Sequence, residues 1–304
     1  MAKKSQQATL LLKTLPLLLI VACRGAVRTP PQYEPAESLL TIVAEFQRYR
    51  DADLYRFPYP RDVSGQNVFK STLVRLGNYE TLYPNKNADV IAYTRAQAYG
   101  RLGEYEQATS FCKLAAKLGV ELAGRANQDL KALEDFRKTT AFARKAETLA
   151  DLEKLLQERV QGCKQLVAPH SAQPWLSLAQ CEWEQAEVDL AEFLWANRQV
   201  IANGPKRALD LLEQIRTRHR QSKNFYRHTL RLGNWAHELA AEYAVVFPPE
   251  RAQFLWDDFQ RWVARAKSLY LEVGQSFGAQ ERSEAAAQLA ALEALEFRVR
   301  DLNQ

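Results

Sequence analysis

Four cysteines and four histidines are the side chains of this chain best suited to nucleophilic or metal chemistry, and their spacing limits what they can do. Cys23, Cys112, Cys163 and Cys181 form no CxxC pair, and no histidine lies beside them at zinc-ligand spacing. His237-Glu238-Leu239-Ala240-Ala241 opens like a helical zinc site, but Ala241 stands where the second imidazole is needed one turn on. Glu182, Glu184, Glu187, Asp189 and Glu192 crowd one segment. Their spacing spreads them around a helix, so they read as a solvated face rather than an acid pair. No Gly-rich phosphate loop and no GxSxG elbow occurs. The expectation is a non-enzymatic chain with no catalytic residue, no metal and no cofactor.

Cys23 is different because of what precedes it. Lys3, Lys4 and Lys13 give a positive first segment, and Leu15–Ala22 is an apolar run of the length used by export signals. The run is too short to cross a bilayer as a helix. Ile20-Val21-Ala22-Cys23 resembles a bacterial lipobox: an aliphatic residue, a tolerant position, a small residue, then cysteine. The resemblance implies that residues 1–22 are a lipoprotein signal peptide, cut away before Cys23. It also implies a diacylglycerol on the Cys23 thiol and an N-acyl chain on its new amino group. Several acyl chains anchor stably where one does not. In the resembling class, aspartate after the cysteine retains the protein in the inner membrane. Arg24 therefore implies the outer membrane, periplasmic side. Residues 23–35, with Pro30, Pro31 and Pro35, read as an acylated cysteine and an extended tether.

Removing residues 1–22 takes away three lysines and no acid. It lowers the formal net charge from +5 to +2, too weak a bias for nucleic-acid binding. Hydrophobic residues are 47% and charged residues 25%, as in packed globular chains. Glycine and proline number 12 each, and most prolines fall before residue 85, so the remaining stretches favour helices. Helical period runs through 38–50, 66–83, 89–102, 104–118, 175–201, 206–220, 224–246, 250–277 and 280–301. Residues 120–167 carry an apolar stripe with a gap at Thr139-Thr140, and predict one long helix or two nearly collinear ones. Short connections imply antiparallel neighbours. The fold class is all-α, an α-solenoid or bundle of about nine or ten helices.

Ala92–Ala108 resembles a tetratricopeptide repeat. Ala96 and Ala108 fill the small positions where two helices touch, with Ala115 one turn beyond. Tyr99 takes the aromatic place, Gly103 the tight turn, and Tyr105 packs back over it. Arg95, Cys112 and Val120 depart from the family pattern. The likeness is good over 85–118, suggestive over 65–84 and weak elsewhere. It implies a tetratricopeptide-like stack, with an N-terminal part over 36–167 and a C-terminal part over 168–304 continuous with it. It also implies a concave face for other proteins, with Thr94, Arg95, Gln97 and Arg101 as candidate partner-binding residues.

Arg216, Arg218, Arg220, Lys223 and Arg227, with His219 and His228, fall in a segment free of acids between Glu213 and Glu238. They are candidates for contact with anionic partners. Cys163 and Cys181 could pair across the turn at 168–174. Together these features predict a periplasm-facing lipoprotein that acts as an interaction scaffold or adaptor for other envelope proteins. The alternative is an accessory factor or enzyme of peptidoglycan metabolism.

Overall fold

The computed structural model describes residues 35–52, 66–141, 146–172 and 175–303. The signal segment 1–22, Cys23 and the tether up to Glu34 lie outside the described residues. The chain divides between Leu40 and Thr41. Of the first unit, only the opening turns of one helix are described. The second unit, Thr41–Gln304, holds the helix stack and every contact named below.

Eleven helices make up the described residues, which contain no strand. They are α1 Pro35–Ala52, α2 Asn67–Leu82, α3 Ala88–Arg101, α4 Tyr105–Leu118, α5 Ala123–Thr140 and α6 Leu149–Leu166. Then come α7 Trp175–Ala196, α8 Gly204–Arg218, α9 Phe225–Val246, α10 Trp256–Gln275 and α11 Arg282–Leu302. From α2 on, each helix packs on the next, and α5 with α7 and α9 with α11 add contacts one helix further along.

The count exceeds nine or ten because residues 120–167 hold two helices, and these are not collinear. Ala141 turns extended, and Thr148 and Asp151 close a reciprocal capping box that starts α6 afresh. The chain then runs back: Thr139 lies against Gly162, and Asp135 is 3.4 Å from His170. Two other ends differ from the period. After Ala196, the Asn197 side chain donates to the Phe193 carbonyl and short turns replace the helix up to Asn203. Residues 250–255 form turns around Pro248-Pro249, and α10 begins only at Trp256.

The α3–α4 hairpin closes on small residues. Ala96, Ala108 and Ala115 are fully buried, which lets the helix axes approach. Gly103 makes the turn at φ +76°, a conformation that costs other residues. Tyr99 stacks on Phe111 at 5.4 Å, and Tyr105 on Phe136 at 5.6 Å. Leu166, Leu178 and Ala179 join this core. A second core gathers Leu194, Leu209, Leu212, Ile215, Leu232 and Trp235 between α7, α8 and α9. A third packs Phe259, Val263, Tyr270 and Val273 of α10 against α9 and α11.

Gly204 shows how tightly the α7–α8 turn is drawn. A Cβ there would stand 2.6 Å from the Arg198 Cα and 2.7 Å from its carbonyl oxygen, both backbone atoms that cannot swing aside. Helix propensity alone favours alanine over glycine by about 1 kcal/mol. The clash should outweigh it. Gly204→Ala is expected to destabilise the protein by about 1–3 kcal/mol in urea unfolding. Gly124→Ala, on exposed α5 surface with nothing near its added methyl, should be stabilising by a few tenths to about 1 kcal/mol.

Candidate functional site

α7 carries chemistry that the sequence hides. Its acids, expected on a solvated face, are not all there. Glu184 and Glu187 are 2% and 4% exposed, because residues 218–228 fold over them. A carboxylate removed from water needs hydrogen-bond donors, and each receives a full set. Glu184 Oε1 lies 2.6 Å from His228 Nε2, and Glu184 Oε2 accepts from Ser222 Oγ at 2.8 Å and Asn224 Nδ2 at 3.5 Å. Glu187 Oε2 lies 3.0 Å from His219 Nε2, and Arg218 donates to its other oxygen. Both histidines are buried, and the Trp183 ring meets His219 edge-on at 5.2 Å.

Burial, and then His228 nearby, pushes His219 down to about 4. It is therefore neutral at pH 7 and donates Nε2–H to Glu187, whose charge Arg218 balances. Burial raises Glu187 above the usual carboxylate range. Burial also raises Glu182, against the hydroxyl that Tyr105 donates to it at 2.5 Å. The remaining acids of α7 are paired as well: Asp189 with Arg159 at 2.6 Å and Glu192 with Arg231 at 2.7 Å.

These contacts seat the start of α9 beside α7 and leave a groove between them. A cavity of about 430 Å³ lies against Phe69 of α2, Arg101 at the end of α3, Cys181, Glu182 and Val188 of α7, and Lys223, Arg227, His228 and Arg231. A second, of about 480 Å³, continues along α9 past Leu230, Asn234, Trp235 and Glu238 to Glu281 and Glu284. Arg227 and Arg231 line both, so the two form one track on one face of α9. Trp235 in its floor is held by stacking on Trp195 at 4.6 Å and 7°. The track is polar and of mixed charge. It suits hydrogen-bonded recognition of an extended polar chain.

The four residues expected to face a partner from 89–102 do other work. Thr94 is buried and donates to the Val90 carbonyl. Arg95 pairs with Glu80 at 2.9 Å and lies over the Phe111 ring. Gln97 bridges Arg50 and Asp129. Only Arg101 reaches the groove, and it also ties α3 to α7 through Ser177 Oγ at 3.1 Å and to the Arg50 carbonyl at 3.0 Å. Thr94 thus bonds within its own helix, while Arg95 and Gln97 spend their polar groups on neighbouring helices.

The basic segment is not gathered into one cationic patch. Arg216 chelates Glu272 at 2.5 and 2.7 Å and bonds Glu213 and Thr229. Arg218 serves Glu187, Arg227 lies 3.8 Å from Glu281, Lys223 and Arg227 line the groove, and Arg220 is exposed. Cys163 and Cys181 are not joined in a disulfide: Cys163 is buried in the α6–α8 core, while Cys181 faces the groove. His237 sits against the Tyr270 hydroxyl, and Glu238 accepts the Trp195 indole N–H.

Sequence reasoning missed Glu184, Glu187, Ser222 and the roles of both histidines. The available signal is a match between segments: an acid-rich helix and an acid-free run holding both histidines.

His219 gives the site a measurable pH response. Unfolded, it protonates near the ordinary value of 6.5; folded, only near 4. Between those values the unfolded chain binds the extra proton, so stability falls as pH falls. Going from about pH 7 to about pH 5 should cost about 2 kcal/mol from this group. Glu187, with its folded value raised, acts in the opposite sense. His219→Gln keeps an N–H donor for it, so the variant should lose this part of the acid slope in urea unfolding and keep the rest. An unchanged slope would contradict the assignment.

No protein-family model matches the chain, and no curated protein matches it. Among solved structures it is similar to a de novo designed helical repeat protein, at 15% identity over 88% of this chain and 99% of that one, with a TM-score of 0.21. An overlap that low carries no argument about fold or function.

Proposed function

We propose that the chain is a non-enzymatic adaptor, held by a lipidated Cys23 at the periplasmic face of an outer membrane, that binds another envelope protein along the α7–α9 groove. The observation that carries this reading is the continuity of the groove. Two cavities share Arg227 and Arg231 and follow one helix, which fits an extended segment of a partner better than a small molecule. The lipobox-like Ile20–Cys23 supports the anchor, and the tetratricopeptide-like 85–118 supports a stacked-helix interaction surface.

Two variants test the parts separately. Arg231 is part-exposed and pairs with Glu192, so Arg231→Ala should cost less than about 1 kcal/mol in stability. As a central arginine of the groove it should still lower recovery of a stoichiometric, crosslinked partner about tenfold or more. Cys23→Ser should move the protein from the membrane to the soluble fraction. Undiminished partner recovery with Arg231→Ala contradicts the groove assignment, and membrane retention of Cys23→Ser contradicts the anchor. Hydrolysis of cell-wall material by the purified chain, with no partner, would favour the peptidoglycan alternative.

A further inference from the structure

One end of the helix stack carries exposed apolar side chains on alternate connections. Helices α7 and α9 run parallel there: Trp195 stacks on Trp235, and Gln199 reaches Glu242. α10 runs back from this end, with Phe254 against Tyr243, and Arg300 near the end of α11 lies over Trp256. The α7–α8 turn, the α9–α10 turn and the end of α11 therefore share one side. Val200 is 71% exposed, Val245 79%, Val246 67%, Leu255 57% and Leu302 50%. Single exposed apolar residues are ordinary; a run of them over neighbouring turns is not. Aromatic rings support the tip from below, with Tyr243 against both Phe247 and Phe254, and Trp256 against Phe259.

We propose that this end is a peripheral lipid-contacting face, which lays Val200, Val245, Val246 and Leu255 into the interfacial zone of a bilayer. The proposal rests on reading Cys23 as the anchor. About a dozen residues separate Cys23 from Pro35, and fully extended they span roughly 40 Å. A body on such a tether is never far from lipid, so the occupant most available to an apolar tip is the bilayer itself. The charges at this end say which lipid. Exposed Arg251 and Arg298 are matched by exposed Glu250, Asp257 and Asp301. Arg198, Arg261 and Arg300 are paired with Glu242, Asp258 and Glu296. With no excess of positive charge, the contact is apolar and does not select anionic headgroups.

The test uses the mature chain, residues 23–304, with Cys23→Ser, which lacks both the acyl anchor and the apolar signal run and leaves the face intact. It should cosediment with phosphatidylcholine vesicles, equally well after added salt and without anionic lipid. Val245→Asp with Val246→Asp should lower that partitioning more than about tenfold, leaving the melting temperature unchanged. Val200→Asp, on the neighbouring turn, should act in the same direction and guards against a folding artefact. Failure of the Cys23→Ser chain to bind vesicles, or binding indifferent to these aspartates, overturns the face and leaves the anchor standing. Binding only to anionic vesicles, lost in salt, overturns it in favour of the basic residues. Loss of a protein partner by the aspartate variants, without vesicle binding, assigns the face to protein instead. The anchor is judged separately, by whether Cys23→Ser alone releases the chain from cell membranes.

Discussion

Burial of two carboxylates on one helix is the constraint on which the rest of this structure turns. Glu184 and Glu187 lie one helical turn apart on α7, and neither has water to satisfy it. An ion left unpaired in such a place costs several kcal/mol, more than most single contacts contribute. Their donors come from Arg218, His219, Ser222, Asn224 and His228, all within the connection between α8 and α9 or next to it. The connection can therefore take only one position. Because α9 begins at its end, the seat of α9 is set as well. The first cavity of the groove is the space left between two helices whose separation these bonds determine, and the second runs on between α9 and the start of α11.

The remaining packing carries that geometry outward. Toward the N-terminal side, Tyr105 spans from the small-residue hairpin to Glu182, and Arg101 spans from the end of α3 to Ser177. Each ties the hairpin to α7 close to the groove's rim. Toward the C-terminal side, Arg216 joins α8 to Glu272 of α10, and Tyr270 bonds Asn234 on α9. Gly233 leaves room for that ring, since a Cβ there would come within 2.8 Å of Tyr270 Cε1. A stack of antiparallel helices has few contacts between distant elements, so cross-links of this kind are what make it stiff enough to present a defined surface.

Much of the helical framework is legible in the sequence because it is written locally. Ala96, Ala108, Ala115 and Gly103 announce a close hairpin, and the turns after Tyr83 and at Gly119 coincide with Pro84 and glycine. The break after Thr140 shows as a gap in the stripe, and the capping box at Thr148 and Asp151 marks a fresh helix start, but only the contacts of Thr139 with Gly162 and Asp135 with His170 show that the chain reverses. The acids of α7 escape a local reading for a different reason. Whether Glu184 faces water depends on a segment about forty residues away, as its bonds to Ser222 and His228 show, and no local pattern encodes that. The same holds for Arg95 and Gln97, whose polar groups are spent on neighbouring helices.

The central claim is that α7 and the start of α9 are coupled through Glu184 and His228. A double-mutant cycle with Glu184→Ala and His228→Ala, read by urea unfolding at neutral pH, tests it most directly. Each single change should cost about 3 kcal/mol or more, and the double change little beyond the larger of them, giving a coupling of about 2 kcal/mol or more. Additive losses, each under about 1 kcal/mol, would show that the two side chains do not hold the helices together.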